Sequence, residues 1–149
     1  MTRRTHYPAL ACIAVLLTAC QPRVEGEGGK VMDGPTEAFA AIAEDEIIHF
    51  TGTEPFWGGE VTGTELRYTT PEDIEGQVIT VERFAGNNGL GYSGELGGQP
   101  FRMAVTPGSC GDGMSDRTYP FVVTLQVRGE DRQGCAWTDK QPFEGDEAP

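Results

Sequence analysis

From Ile47 onward the apolar residues of this chain recur at every second position in short runs, and glycine-rich turns end each run before it reaches helix length. A period of two puts successive side chains on opposite faces of a strand, whereas a helix needs apolar residues three and four apart. Ile48 and Phe50 share one face of the first run, with Ile47, His49 and Thr51 on the other. Phe56 to Val61 and Glu65 to Thr70 flank the turn Thr62-Gly63-Thr64, and Gln77 to Phe84 alternates Ile79, Val81 and Arg83 against Val78, Thr80 and Glu82. Gly86-Asn87-Asn88-Gly89 then supplies residues that accept the positive φ of a tight hairpin. Leu90 to Leu96, Phe101 to Thr106 and Phe121 to Val127 follow, and after Gly129-Glu130-Asp131 a last run carries Cys135 and Trp137. About eight short strands at this spacing predict an all-β fold with antiparallel pairing over 46–138, as a small barrel or a sandwich; a small antiparallel β-barrel is the expectation, since its closure also removes the exposed edges of a lone sheet.

What precedes the domain has another composition. Arg3 and Arg4, the apolar stretch Ala9 to Leu17 and the small residues Thr18 and Ala19 form an export signal over 1–19, too short for a stable membrane span. The run Leu17-Thr18-Ala19-Cys20 resembles the lipobox of bacterial lipoproteins. That resemblance implies cleavage before Cys20, acylation of its thiol with palmitate-type chains and of the new N-terminus, and so a membrane anchor of several acyl chains, where one chain alone is marginal. Gln21 after the cysteine, rather than Asp, matches the sorting pattern for the outer membrane, with the domain facing the periplasm. Segment 20–45 is Gly-, Glu- and Pro-rich at first and predicts a flexible acidic tether; within it Phe39 and Ile42, three apart among alanines, suggest a short helix over Glu37 to Glu46. The tail 139–149 is acidic and interrupted by Pro and Gly, which predicts disorder.

Export places the chain in an oxidising compartment, where the two cysteines of the domain, Cys110 and Cys135, are expected to pair. They enclose 24 residues, a loop whose closure is worth about 3 to 4 kcal/mol in chain-entropy terms. The alternative, two thiolates on a metal, lacks the close cysteine spacing and nearby histidines that zinc sites use. Charge narrows the partners. Lys+Arg number 11 against Asp+Glu 23, a net charge of −12, and loss of Arg3 and Arg4 with the signal makes it −14. Such a field repels nucleic acid and draws cationic proteins, and it also serves plain solubility.

Catalytic constellations are sparse. Once the signal is removed His49 is the remaining histidine, the serines have no evident base, no G-x-S-x-G elbow occurs, and a disulfide consumes both thiols of the domain. A pair of carboxylates at hydrolase spacing is the one arrangement the sequence leaves open. The expectation is therefore a protein that is not an enzyme and carries no cofactor. The chemistry-bearing stretch is Cys110-Gly-Asp-Gly-Met-Ser-Asp-Arg-Thr-Tyr119, from which Asp112, Met114, Ser115, Asp116 and Tyr119 are candidate binding residues. Asp112 and Asp116 lack the spacing of a calcium-binding EF-hand, which favours Asx-turn or capping roles over a metal site. His49 with Met114 is thin support for soft-metal binding. Glu54 and Trp57 in Gly52-Thr-Glu-Pro-Phe-Trp57 are further candidates, Trp57 as an aromatic plug or a stacking surface and Glu54 as a carboxylate partly desolvated by the rings beside it.

The Gly52 to Trp57 opening, the Cys110 to Asp116 turn, Tyr119-Pro120 and the closing Gly134-Cys135-Ala136 together resemble a family of uncharacterised bacterial lipoproteins, over about Ile47 to Trp137. A looser similarity runs to the membrane-bound inhibitors of c-type lysozyme, small disulfide-containing β-barrel lipoproteins with a Ser-Gly-x-x-Tyr loop. Ser115 and Tyr119 keep that interval, Asp116 replaces the glycine, and the family's helping lysine has no counterpart, since the mature lysines are Lys30 and Lys140. The resemblance implies a non-catalytic envelope module that binds a cationic protein such as lysozyme. The other readings are a structural or stress-response lipoprotein without a discrete ligand and a periplasmic metal-binding module.

Overall fold

The structure, a computed structural model, describes residues 37–145. The expected signal, Cys20 and the tether up to residue 36 lie outside the described residues, as do 146–149. Eight strands follow one another, with no helix among the described residues: β1 (Ile48–Thr53), β2 (Phe56–Thr62), β3 (Glu65–Thr70), β4 (Asp73–Ala85), β5 (Leu90–Leu96), β6 (Gln99–Gly111), β7 (Thr118–Val127) and β8 (Glu130–Thr138). Each pairs antiparallel with its neighbours in sequence, and β1 pairs with β8 to close the barrel, Ile48 opposite Thr138 and Thr51 opposite Cys135.

Alternation decides what fills the interior. Phe101, Met103 and Val105 on β6 and Phe121, Val123, Leu125 and Val127 on β7 point inward and are at most 2% exposed. Burying each such side chain contributes about 1.5–3 kcal/mol. A row of rings crosses the interior, Phe50 to Trp57 to Tyr68 to Phe101, with neighbouring centroids 5.9 to 6.4 Å apart. The indole of Trp57 lies against the backbone at two glycines, Gly52 and Gly134, where a Cβ would collide with it. Gly52, Trp57 and Gly134 thus form one packing unit drawn from both ends of the domain.

Two segments differ from their expectation. The stretch 37–47 forms no helix and is not tether; it caps the barrel end where β1 begins, with Ile42 only 1% exposed inside the core. Its backbone groups bond to the barrel instead of to their own next turn. Phe39 N–H donates to Gly86 O at 2.7 Å, Gly63 N–H to Glu44 O at 3.1 Å, and Arg83 Nη2 to Ile42 O at 3.1 Å. The open end of a closed sheet needs an apolar stopper, and Ile42 supplies it. The tail also folds back: Glu144 and Thr118 exchange backbone hydrogen bonds of 2.8 and 2.9 Å, and Lys140 Nζ reaches the buried Glu46 at 3.1 Å. The disorder expected from residue 139 therefore does not extend over 139–145, because Phe143 has rings to pack against.

Candidate functional site

β6 runs past its expected end at Thr106. A bulge between Pro107 and Cys110, where Pro107 has no N–H to give the ladder, bends the strand before pairing resumes at Cys110 opposite Tyr119 and Gly111 opposite Thr118. The disulfide Cys110–Cys135, with Cα atoms 5.6 Å apart, ties this extension of β6 to β8. The thiols are thus consumed by each other, the pairing expected of these two cysteines.

Beyond the clasp, one carboxylate organises the turn. Asp112 Oδ1 accepts the N–H groups of Met114 (2.9 Å) and Ser115 (2.8 Å), and Oδ2 accepts the hydroxyls of Ser115 (2.7 Å) and Tyr119 (3.3 Å). Gly113 between them takes φ 74°, a left-handed conformation that suits glycine. The main-chain oxygen of Asp112 accepts the Thr53 hydroxyl at 3.1 Å, which ties the loop to the end of β1. These donors, the Met114 N–H first and then those of Ser115, hold the Asp112 carboxyl down at about 2 against an ordinary 3.8.

Beneath the loop lies a second, smaller apolar cluster, separate from the barrel core. Tyr119, 2% exposed, packs at 5.4 Å from both Trp137 and Phe143, and Trp137 meets Phe143 edge-on at 5.6 Å. His49 stacks on Trp137 at 5.3 Å, and the Arg117 guanidinium sits over Phe143 at 4.5 Å. Sequence reasoning missed these supports. Phe143 was an aromatic in an otherwise polar tail, and an apolar ring in such a place is the signal that marks a docked segment.

The structure brings together Asp112, Ser115 and Tyr119, all with their polar atoms turned into the loop. Ser115 Oγ donates to Asp112 and accepts the N–H of Arg117 at 3.2 Å, so its hydroxyl serves the turn itself. Met114, 63% exposed, and Asp116 face outward. Two candidates are corrected. Trp57 is 3% exposed in the barrel core and offers no stacking surface, because the two glycines make room for its ring inside. Glu54 is exposed in the β1–β2 turn rather than desolvated, since Trp57 turns inward and Phe56, 52% exposed, turns out. Among the described residues no three His, Cys, Asp or Glu side chains gather as a metal site would require. Compared with family models, with characterised proteins and with solved structures, the chain matches none.

Proposed function

We propose that the chain is a lipid-anchored module of the bacterial cell envelope, held at Cys20, that binds a cationic protein without catalysis through the outward side of the Asp112 loop. The observation that carries this reading is the preorganised loop. One ionised carboxylate, a disulfide and an aromatic cushion brace a turn whose exposed tip is Met114 beside Asp116. A tip already ordered loses little conformational entropy on docking. An exposed methionine adapts to an apolar partner surface, and the net charge of −12 favours a cationic one. Inhibition of a lysozyme-type hydrolase is the sharpest form of the proposal. The contact would come from Met114 and Asp116, since Ser115 is engaged within the turn.

The test is calorimetric titration of the full chain with c-type lysozyme at low and moderate salt, alongside a lytic assay. Saturable binding near one-to-one is expected, weaker at higher salt, and Met114→Ala with Asp116→Ala should weaken it by about tenfold while leaving the melting temperature unchanged. Absence of binding by the unaltered chain at low salt would sink the lysozyme reading.

A further inference from the structure

At the barrel end opposite Ile42, three hairpin turns surround a hollow of about 660 Å³. Pro55 comes from the β1–β2 turn and Phe56 from the start of β2, Glu72 from the β3–β4 turn and Asp73 from the start of β4, Arg128 from the β7–β8 turn and Arg132 from β8, with Tyr68 reaching it from the core. This volume is within the range of small-molecule sites, and barrel mouths are a common place for them.

The basic groups of the hollow are held for different ends. Arg132, its side chain 14% exposed, is fixed on both sides: Nη1 donates to Tyr68 Oη at 2.8 Å, and Nε and Nη2 donate to Glu130 at 3.2 and 2.6 Å. Tyr68 accepts from Arg132 and so keeps its own O–H to give. Burial pushes that hydroxyl above its ordinary range, so it stays a neutral donor well into alkaline pH. Arg128 has no carboxylate partner among the described residues, and its charge is felt at Tyr68. It also holds φ 52°, left-handed, at the first position of the two-residue turn Arg128-Gly129. A turn that only closes a hairpin takes Asn, Asp or Gly there, and a long side chain costs conformational energy. Backbone strain kept at a cavity rim is a mark of function.

Next to the donors lies an apolar surface. A second hollow of about 320 Å³ shares Phe56, Thr70 and Pro71 with the first and extends to Ile74, which is 78% exposed. The acids also count. Asp73 is occupied by Gly76 N–H and Gln77 Nε2, but Glu72 faces the same hollow and the whole chain is strongly acidic, so a dianion is disfavoured. The geometry points to a binding site for a small monocarboxylate with an apolar or aromatic body, its carboxylate on Arg128 and the Tyr68 hydroxyl and its body against Phe56, Pro71 and Ile74. This site is independent of the Asp112 loop.

The experiment is calorimetric titration of the full chain in lipid nanodiscs with hydrocinnamate, with the neutral isostere hydrocinnamamide and empty discs as controls. The carboxylate should bind saturably, and the amide should bind about tenfold more weakly or worse. Arg128→Asn should lose that same discrimination while melting at the same or a higher temperature, because Asn suits the left-handed position. Phe56→Ala should weaken both ligands. Equal binding of acid and amide, no binding of the acid, or an Arg128→Asn chain that binds like the parent would each overturn the assignment. Met114→Ala with Asp116→Ala should leave hydrocinnamate binding unchanged, so failure of the loop proposal and failure of this one are separable.

Discussion

Asp112 serves four donors with two oxygens, and this makes the loop sensitive to acid. Its folded value of about 2 lies below the ordinary 3.8, so its contribution to stability is complete above about pH 4 and is lost as the pH falls through about 2. Asp112→Ala should cost about 2 kcal/mol at neutral pH, by loss of hydrogen bonds to a charged acceptor. In denaturant melts the gap between variant and parent should narrow from about pH 4 downward; a gap that stays constant to acid would show that the charge is not what braces the turn. An Asx-turn or capping role was the favoured reading of both Asp112 and Asp116, and Asp112 takes it, because an Asx-turn is local chemistry. The fate of Trp57 was open between plug and platform, since nothing local says which of two adjacent aromatics turns inward. The inward position opposite bare backbone at Gly52 and Gly134 decides it. Arg128 escaped notice altogether, because the turn was expected one residue later, at Gly129-Glu130-Asp131.

Among the elements, the β6–β7 hairpin differs most from expectation. β3 and β5 fall at their expected bounds, Glu65–Thr70 and Leu90–Leu96, where glycine turns flank or follow clean alternation. β6 was expected over Phe101 to Thr106; a bulge absorbs Pro107 and Gly108, and the strand continues to Gly111. The helix suggested for Glu37 to Glu46 rested on Phe39 and Ile42 alone, and a single turn cannot compete with backbone partners already waiting on the barrel. The clasp joins the hairpin to β8 across 25 residues of sequence. Replacing both cysteines by serine should cost about 3 kcal/mol. It should also expose Trp137, read as a red shift of tryptophan emission, while the far-ultraviolet signature of the barrel persists. A variant that loses both the emission and the sheet signal would show that the clasp holds the barrel as well as the loop.

For the whole molecule, closure is the property that matters. Each strand has a partner on both sides, so none can leave without breaking two ladders, and the inward side chains form one continuous core. Thermal unfolding should therefore be a single transition, with near- and far-ultraviolet circular dichroism melting together; separated midpoints would mean that one arc of the barrel opens first. Period-two alternation and turn spacing made an all-β domain readable, and the argument from edges favoured closure over a sandwich. The pairing of β1 with β8 joins residues nearly ninety positions apart, beyond the reach of any local pattern.

Because the first and last strands lie side by side, the sheet itself has no beginning. Gly97 and Gly98, in the turn between β5 and β6, have nothing within 4 Å of where a Cβ would sit. A circular permutant opened there, with a linker joining the present ends, keeps the strand-to-strand ladders of the ring. It would also move the ends of the domain from the side stoppered by Ile42 to the mouth that holds Arg128.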